Sequence, residues 1–261
     1  MKKTLTIAGS DNSGGAGIQA DLKVFSAFGV YGMSAITAIT VQNSLGVIST
    51  HPVEPEILYS QISSVAEDIG IDAAKTGMLM NRENIDVVYK IQQKYKFPLI
   101  VDTVIKSKNG RFLLEEEAIE IFIQKIIPVS YIITPNKDEA EVITGIEISS
   151  IEDMKKAARE IKKIGAETVI IKGGHLPQNR TVTDVVLYND EFIFLTYPFV
   201  DTKNTHGTGC TFSAAITALI AKGVEPLKAI RIARAYVQGA IENSLKTGKG
   251  IGSLNHFWTV M

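Results

Sequence analysis

The sequence predicts an α/β fold in which helices cover both faces of a mainly parallel sheet. Short apolar runs alternate with helix-length amphipathic segments along the chain, the order expected of parallel strands joined by crossover helices. The 261 residues contain no internal repeat, low-complexity tract or Pro/Ser-rich linker, so one domain over 1–261 is expected. Polar residues and glycines directly follow several of the strand-like runs, which is where ligands bind in such sheets.

Residues 4–8 are a β-prone run leading to Gly14-Gly15-Ala16-Gly17, after which Ile18, Leu22, Phe25 and Phe28 recur at helical spacing. The apolar run 36–41 reads as a buried strand. Over 55–69, Ile57, Leu58, Ile62, Val65, Ala66 and Ile69 form one helical stripe. A strand is expected near 73–76, a helix at 81–95 and, after Pro98, a strand at 99–101 ending at Asp102. Next come a helix at 115–126 and a strand at 131–134, with Pro135 and Asn136 opening a helix that reaches about 143. A charged amphipathic helix covers 152–164 and a strand 168–172. A hairpin of 182–187 with 192–197 turns at Asn189-Asp190. Final helices are expected over 209–221 and 226–245, with Gly223 as the stop between them.

Composition narrows the function. Lys and Arg number 27 against 28 Asp and Glu, a net charge of −1 without like-charge blocks, which argues against nucleic-acid or anionic-membrane partners. Hydrophobic residues at 45% and charged residues at 21% are ordinary for a globular chain. The apolar run after Lys2-Lys3 stops at Gly9-Ser10-Asp11, too soon for a secretion signal, and residues 214–221 are too few to span a membrane. The one cysteine, Cys210, forms no intrachain disulfide and fits a reducing compartment; a cytoplasmic protein is expected.

Three segments carry chemistry. In Gly9-Ser10-Asp11-Asn12-Ser13-Gly14-Gly15-Ala16-Gly17, missing side chains permit close approach of a small ligand, and the same pattern fits an ordinary tight turn. It has neither the Lys-Ser/Thr ending of a Walker A loop nor the dinucleotide glycine spacing. Thr205-His206-Gly207-Thr208-Gly209-Cys210-Thr211 opens a small-residue helix whose first N–H groups form an anion nest. Cys210 in that first turn is expected to favour its thiolate, whereas His206 fits a cap or a packing role as well as a functional one. Asn136 and Glu139 share a face three residues apart; spacing alone favours a helix cap over a perch for hydrated Mg²⁺. Lys172 after a strand suits a phosphate, with Asp184 facing the same cleft and Asp102 beside the cation or transferring group.

Together, the run Gly9 to Lys23, Val41-Gln42-Asn43, Thr76-Gly77-Met78, Asn136 to Glu139, Lys172-Gly173-Gly174-His175 and Thr205 to Ala215 resemble the hydroxymethylpyrimidine/phosphomethylpyrimidine kinases of thiamine biosynthesis over nearly the whole chain. The resemblance implies a three-layer α/β/α ribokinase-like fold with a mainly parallel sheet. It implies ATP-dependent phosphorylation of 4-amino-5-hydroxymethyl-2-methylpyrimidine and then of its monophosphate, with ATP as co-substrate, Mg²⁺, and a homodimer. By the same resemblance Gln42 reads the aminopyrimidine, Gly9 and Met78 line its pocket, and Asp21 supports it. Asn136, Glu139, Lys172, Asp184, Thr208 and Cys210 fall at ATP and phosphate positions, with Glu139 and Asp102 near the metal, directly or through water. Gly207, Gly209, Lys172 and Cys210 are the implied catalytic set, Cys210 standing where related sugar kinases carry an aspartate base.

Thr103 replaces the family's usual Pro after Asp102, and Asn12 replaces a common Ser in the opening loop. The nearest alternative is a pyridoxal kinase, whose substrate also carries a hydroxymethyl group on a flat ring; Gln42 favours the pyrimidine. A non-catalytic pyrimidine or nucleotide sensor is a second alternative, disfavoured by the presence of Cys210, Lys172 and Glu139. A nicotinamide oxidoreductase has the wrong glycine pattern.

Overall fold

In the computed structural model the described residues are 1–106, 112–174 and 180–259; His175 lies outside them. The strands are β1 (Lys3–Asp11), β2 (Tyr31–Asn43), β3 (Gly46–Pro52), β4 (Ala73–Thr76), β5 (Leu99–Val101), β6 (Ile132–Ile133), β7 (Thr168–Ile171), β8 (Thr181–Tyr188) and β9 (Glu191–Pro198). The helices are α1 (Gly17–Ala27), α2 (Pro55–Asp68), α3 (Arg82–Tyr95), α4 (Glu116–Lys125), α5 (Lys137–Thr144), α6 (Ile151–Ile164), α7 (Thr208–Ala221) and α8 (Pro226–Glu242). One sheet runs in the order β3-β2-β1-β4-β5-β6-β7-β8-β9. From β2 to β7 all pairings are parallel, while β3 and the β8–β9 hairpin add antiparallel margins.

Strand alternation divides the core into two layers. Leu99 and Val101 point into the cluster that includes Ile85, Val88, Phe122 and Ile161, whereas Ile100 between them points into the other, with Phe25, Phe212, Ile216 and Ile230. Ile132 against Ile133, and Ile170 against Val169 and Ile171, divide the same way. Strands buried on both faces therefore read as unbroken apolar runs. Each such side chain contributes roughly 1.5–3 kcal/mol on burial. Helices α2 to α6 cover one face and α1, α7 and α8 the other, the three-layer arrangement.

Three elements depart from the expectation. β2 begins at Tyr31, five residues before the expected strand, and continues to Asn43; β3, for which no strand is expected, folds back on it. Gly32 and Ser34 dilute the apolar signal in β2, and β3 is a margin strand whose side chains are half-buried or exposed. The last helix ends at Glu242 rather than 245, with Asn243 bonding back to Gly239. The hairpin turns where expected, both Asn189 and Asp190 taking left-handed φ of 48° and 63°.

Residues beyond α8 return to brace α7. His256 is buried, its Nε2 3.1 Å from the Thr211 hydroxyl, and its carbonyl accepts from the Tyr236 hydroxyl. Burial, with the Lys23 and His206 charges, pushes its imidazole from 6.5 down to about 4. The folded protein therefore keeps His256 neutral while the unfolded chain takes a proton below pH 6.5, so stability falls between pH 6.5 and 4. We expect this group to account for a loss on the order of 3 kcal/mol across that window. Denaturant unfolding of wild type and His256→Gln at pH 7 and pH 4 checks it: the variant should show the smaller pH dependence.

Candidate active site

The parallel strands deliver their ends to one edge of the sheet, and the expected site residues gather there. β1 ends at Asp11, and its loop returns into α1 through Gly17, whose φ is +58° and whose added Cβ would stand 2.4 Å from the Gly9 carbonyl oxygen. A Cβ on Gly9 would stand 2.5 Å from the Met78 methyl, so Gly9 and Met78 share one wall as expected. Gln42, on β2, is half-buried, and its backbone N–H donates to the Asn12 side chain at 2.8 Å. Asn12, the residue that departs from the family's usual serine, thus fastens the glycine loop to the strand carrying Gln42.

Opposite stands the start of α7. Gly207 caps it at φ 84°, and Thr208, Gly209 and Cys210 form the first turn, the Thr208 N–H already donating to the Thr205 carbonyl at 3.4 Å. Thr208 Oγ1 donates to the Thr205 carbonyl at 2.8 Å, which shapes the turn. The expectation of a favoured Cys210 thiolate is overturned: burial pushes the thiol from 9.0 up to about 12. Lys75 and a hydrogen bond from the Gly17 N–H oppose, but the Asp21 and Asp102 charges work with burial.

Behind the nest, Lys172 Nζ lies 3.1 Å from Asp102 Oδ1, and both are backed by Gly209, whose added Cβ would stand 3.2 Å from Asp102 Oδ2 and 3.4 Å from Lys172 Nζ. Burial works against the Lys172 ammonium, yet Asp102 and Glu139 outweigh it and raise its pKa. Glu139 and Asn136 do form the capping box that spacing favoured: Glu139 N–H donates to Asn136 at 3.0 Å, and Asn136 N–H to Glu139 at 2.8 Å. The same carboxylate accepts from Thr103 Oγ1 at 2.5 Å, so Thr103 supplies a hydroxyl anchor where the family usually has a proline. Burial raises the Glu139 carboxyl above its ordinary value; Lys172 opposes this and Asp102 adds to it.

Two expected residues turn inward instead. Asp21, expected beside the substrate, is fully buried, paired with Lys75 at 3.0 Å and accepting from Thr6 at 2.6 Å. Helix α1 presents it to the sheet, so it supports the site from beneath. Asp184, expected in the nucleotide cleft, points into the fold between β7 and α8. It accepts from the Gly173 N–H and from Arg234 Nε, each at 2.8 Å. Gly173 is held so close that an added Cβ would stand 1.9 Å from the Thr183 oxygen. Asp184 therefore fixes the backbone next to Lys172. Among the described residues no three His, Cys, Asp or Glu side chains gather into a metal-binding group.

The comparisons with known proteins bear on this arrangement. The family model described as phosphomethylpyrimidine kinase matches residues 11–255. The chain belongs to that family. It is 51% identical to the hydroxymethylpyrimidine/phosphomethylpyrimidine kinase of Bacillus subtilis over 98% of this chain and 94% of that protein. Among solved structures it is similar to the ADP complex of Bacillus subtilis pyridoxal kinase: TM-score 0.93, 37% identity, covering 100% and 99% of the two chains. The Clostridium difficile phosphomethylpyrimidine kinase gives 0.82 and 45%, covering 92% and 100%. The fold is ribokinase-like and the chain is a kinase.

Motif reading did not single out Lys75 or Arg234, and it named Asp11 and Thr103 without giving them a role, although all four build this candidate site. A lysine inside the otherwise small and apolar strand Ala73–Thr76 was the available signal for Lys75. Gly209→Ala separates site from fold. Its methyl gains up to about 1 kcal/mol of helix propensity, yet it presses on Asp102 and Lys172. Thermal unfolding should show an unchanged or raised Tm, while ATP turnover falls about tenfold or more.

Proposed function

We propose that this chain transfers the γ-phosphoryl group of ATP to the hydroxymethyl oxygen of 4-amino-5-hydroxymethyl-2-methylpyrimidine, and then to the resulting monophosphate, as one kinase domain over 1–261. The observation that carries this reading is the convergence of the nest at Gly207 to Cys210, the Lys172–Asp102 pair and Glu139 on one edge, facing the loop of Gly9, Met78 and Gln42. The pyrimidine substrate is supported by 51% identity to a kinase named for it.

In this reading Gln42 reads the aminopyrimidine edge against the wall of Gly9 and Met78. The acceptor oxygen attacks the γ-phosphorus in line while the bond to the β-phosphate bridging oxygen breaks. Gly209 and Cys210 offer N–H groups to the transferring oxygens, and Lys172 matches the charge. Asp102 and Glu139 both act on Lys172, and these carboxylates would hold Mg²⁺, directly or through water, beside the substrate phosphates. Bound there, Mg²⁺ would neutralise phosphate charge. Asn136 caps the helix that presents Glu139. The Cys210 thiol lines the acceptor side and positions it. In a loose transition state the acceptor proton leaves late and passes to an oxygen of the transferred phosphoryl group, so no resting thiolate is required.

A second reading, pyridoxal phosphorylation, is favoured by the TM-score of 0.93 to a pyridoxal kinase. Backbone similarity alone does not select the ring, and the Gln42 side chain supports the pyrimidine. We further propose a cytoplasmic homodimer. Ile39, Val41, Leu45 and Ile48 on β2, β3 and their turn expose apolar surface suited to a second copy, and no helix of the described residues is long and apolar enough to cross a membrane.

The deciding experiment offers purified protein ATP, Mg²⁺ and hydroxymethylpyrimidine, its monophosphate or pyridoxal in parallel, with products identified by mass. Both pyrimidines should be phosphorylated; pyridoxal alone would establish the second reading, and no transfer would leave a binding protein. Cys210→Ala should slow both pyrimidine steps by similar factors, roughly tenfold each. A loss confined to the hydroxymethyl step would make Cys210 a proton acceptor instead.

A further inference from the structure

His206 is the residue of the second glycine motif to which the proposed reaction gives no task. Its Nε2 lies 2.8 Å from Asp11 Oδ2, in the first glycine loop, 195 residues away in sequence. Asp11 is buried and gathers that loop: Oδ1 accepts from the Ser13 N–H at 2.8 Å and the Ser13 hydroxyl at 2.7 Å, and Oδ2 also accepts from the Ala16 N–H at 2.8 Å. Burial alone would raise the Asp11 carboxyl, but the hydrogen bonds from His206 and Ser13 and the His206 charge bring it down to about 2. The carboxylate is thus ionised at neutral pH and available to hold the imidazole.

Around this contact the two loops meet backbone on backbone. A Cβ on Gly207 would stand 1.9 Å from the Gly15 oxygen, and one on Gly15 would stand 2.5 Å from His206 Cδ2. The His206 N–H donates to the Gly252 carbonyl at 3.1 Å, and His206 bridges to Ser253. The same C-terminal segment reaches the β2–β3 turn, where the Ile251 N–H donates to the Ser44 carbonyl at 2.8 Å and the Gly250 N–H to Ser44 Oγ at 3.1 Å. Ser44 is two residues from Gln42, and the Gln42 N–H returns to Asn12, the neighbour of Asp11, at 2.8 Å. A closed ring results: Gln42, Asn12, Asp11, His206, Ser253, Ile251 and Ser44.

Resting on the proposed phosphoryl transfer, we propose that His206 is a positioning residue whose bond to Asp11 closes this ring and sets the acceptor pocket in register with the phosphate nest. One side of the ring carries the residue that reads the acceptor, and the other carries Gly207, the cap of the nest. In-line transfer depends on the separation of those two sides, and a misplacement near 1 Å costs about 100-fold in rate. Binding of either substrate alone uses only one side. Loss of the link therefore acts on kcat rather than on KM.

The test uses the full-length protein with ATP and whichever acceptor wild type phosphorylates, pyrimidine or pyridoxal, so that a wrong acceptor and a wrong role for His206 give different results. His206→Ala should lower kcat by about 100-fold while the KM values for ATP and acceptor change by less than about threefold. More ADP should be released per acceptor phosphorylated, because γ-phosphoryl then passes to water. His206→Gln, whose side-chain amide donates to Asp11, should recover kcat to within about tenfold of wild type, and it keeps the test open if the alanine variant fails to fold. The proposal is overturned if kcat of His206→Ala stays within about threefold of wild type, if the loss appears in KM, or if the glutamine variant recovers nothing.

Discussion

Charge buried at the carboxyl edge of the sheet is the condition on which the rest of this structure depends. Lys75 and Asp21 form an ion pair with no solvent exposure, Lys172 and Asp102 a second with little, and Arg234 and Asp184 a third between the sheet and α8. Removing such charges from water costs several kcal/mol per ion, and pairing recovers that only when geometry is good. A hydrophobic replacement would often be at least as stable. Their placement makes sense as preorganisation: the pairs tie β4 to α1, the end of β7 to the end of β5, and β8 to α8 in fixed relation.

The same charges decide what the nest can do. A helix N-terminus ordinarily favours a thiolate, but beneath Cys210 the carboxylates of Asp21 and Asp102 join burial in opposing it. Lys75 and the Gly17 N–H do not reverse the balance. A region that already holds buried carboxylates gains little from another resting anion. In the proposed transfer the phosphate charge is met by N–H groups and Lys172, which are in place without reorganisation.

Glycines make this geometry possible by absence. Gly207 and Gly15 let two loops touch through their backbones, Gly173 lets the end of β7 lie against Thr183, and Gly209 leaves room for Asp102 and Lys172. Each side chain missing at these points is a constraint on distance that the sequence displays only as a small residue. The glycine loops were legible as motifs, whereas the contact between them was not.

Periodicity disclosed the strands and helices of the layered sheet, in order and mostly to within a few residues, because alternation and the 3.6-residue repeat are local consequences of which face is buried. Motifs likewise placed Lys172, Asp102 and Asn136 at strand ends, and Glu139 and the α7 turn at the starts of helices. Side-chain direction was beyond them. Asp21 and Asp184 carry the right charge but point into the fold, and their partners Lys75 and Arg234 lie 54 and 50 residues away. Strand β3 escaped because a margin strand buries too little to show a pattern. The sequence by itself determined the fold class and the inventory of the candidate site; tertiary structure decided which of those charges turn into the fold, that burial raises the Cys210 thiol, and that His206 meets Asp11. Those outcomes depend on burial and on contacts between distant segments, which no local pattern encodes.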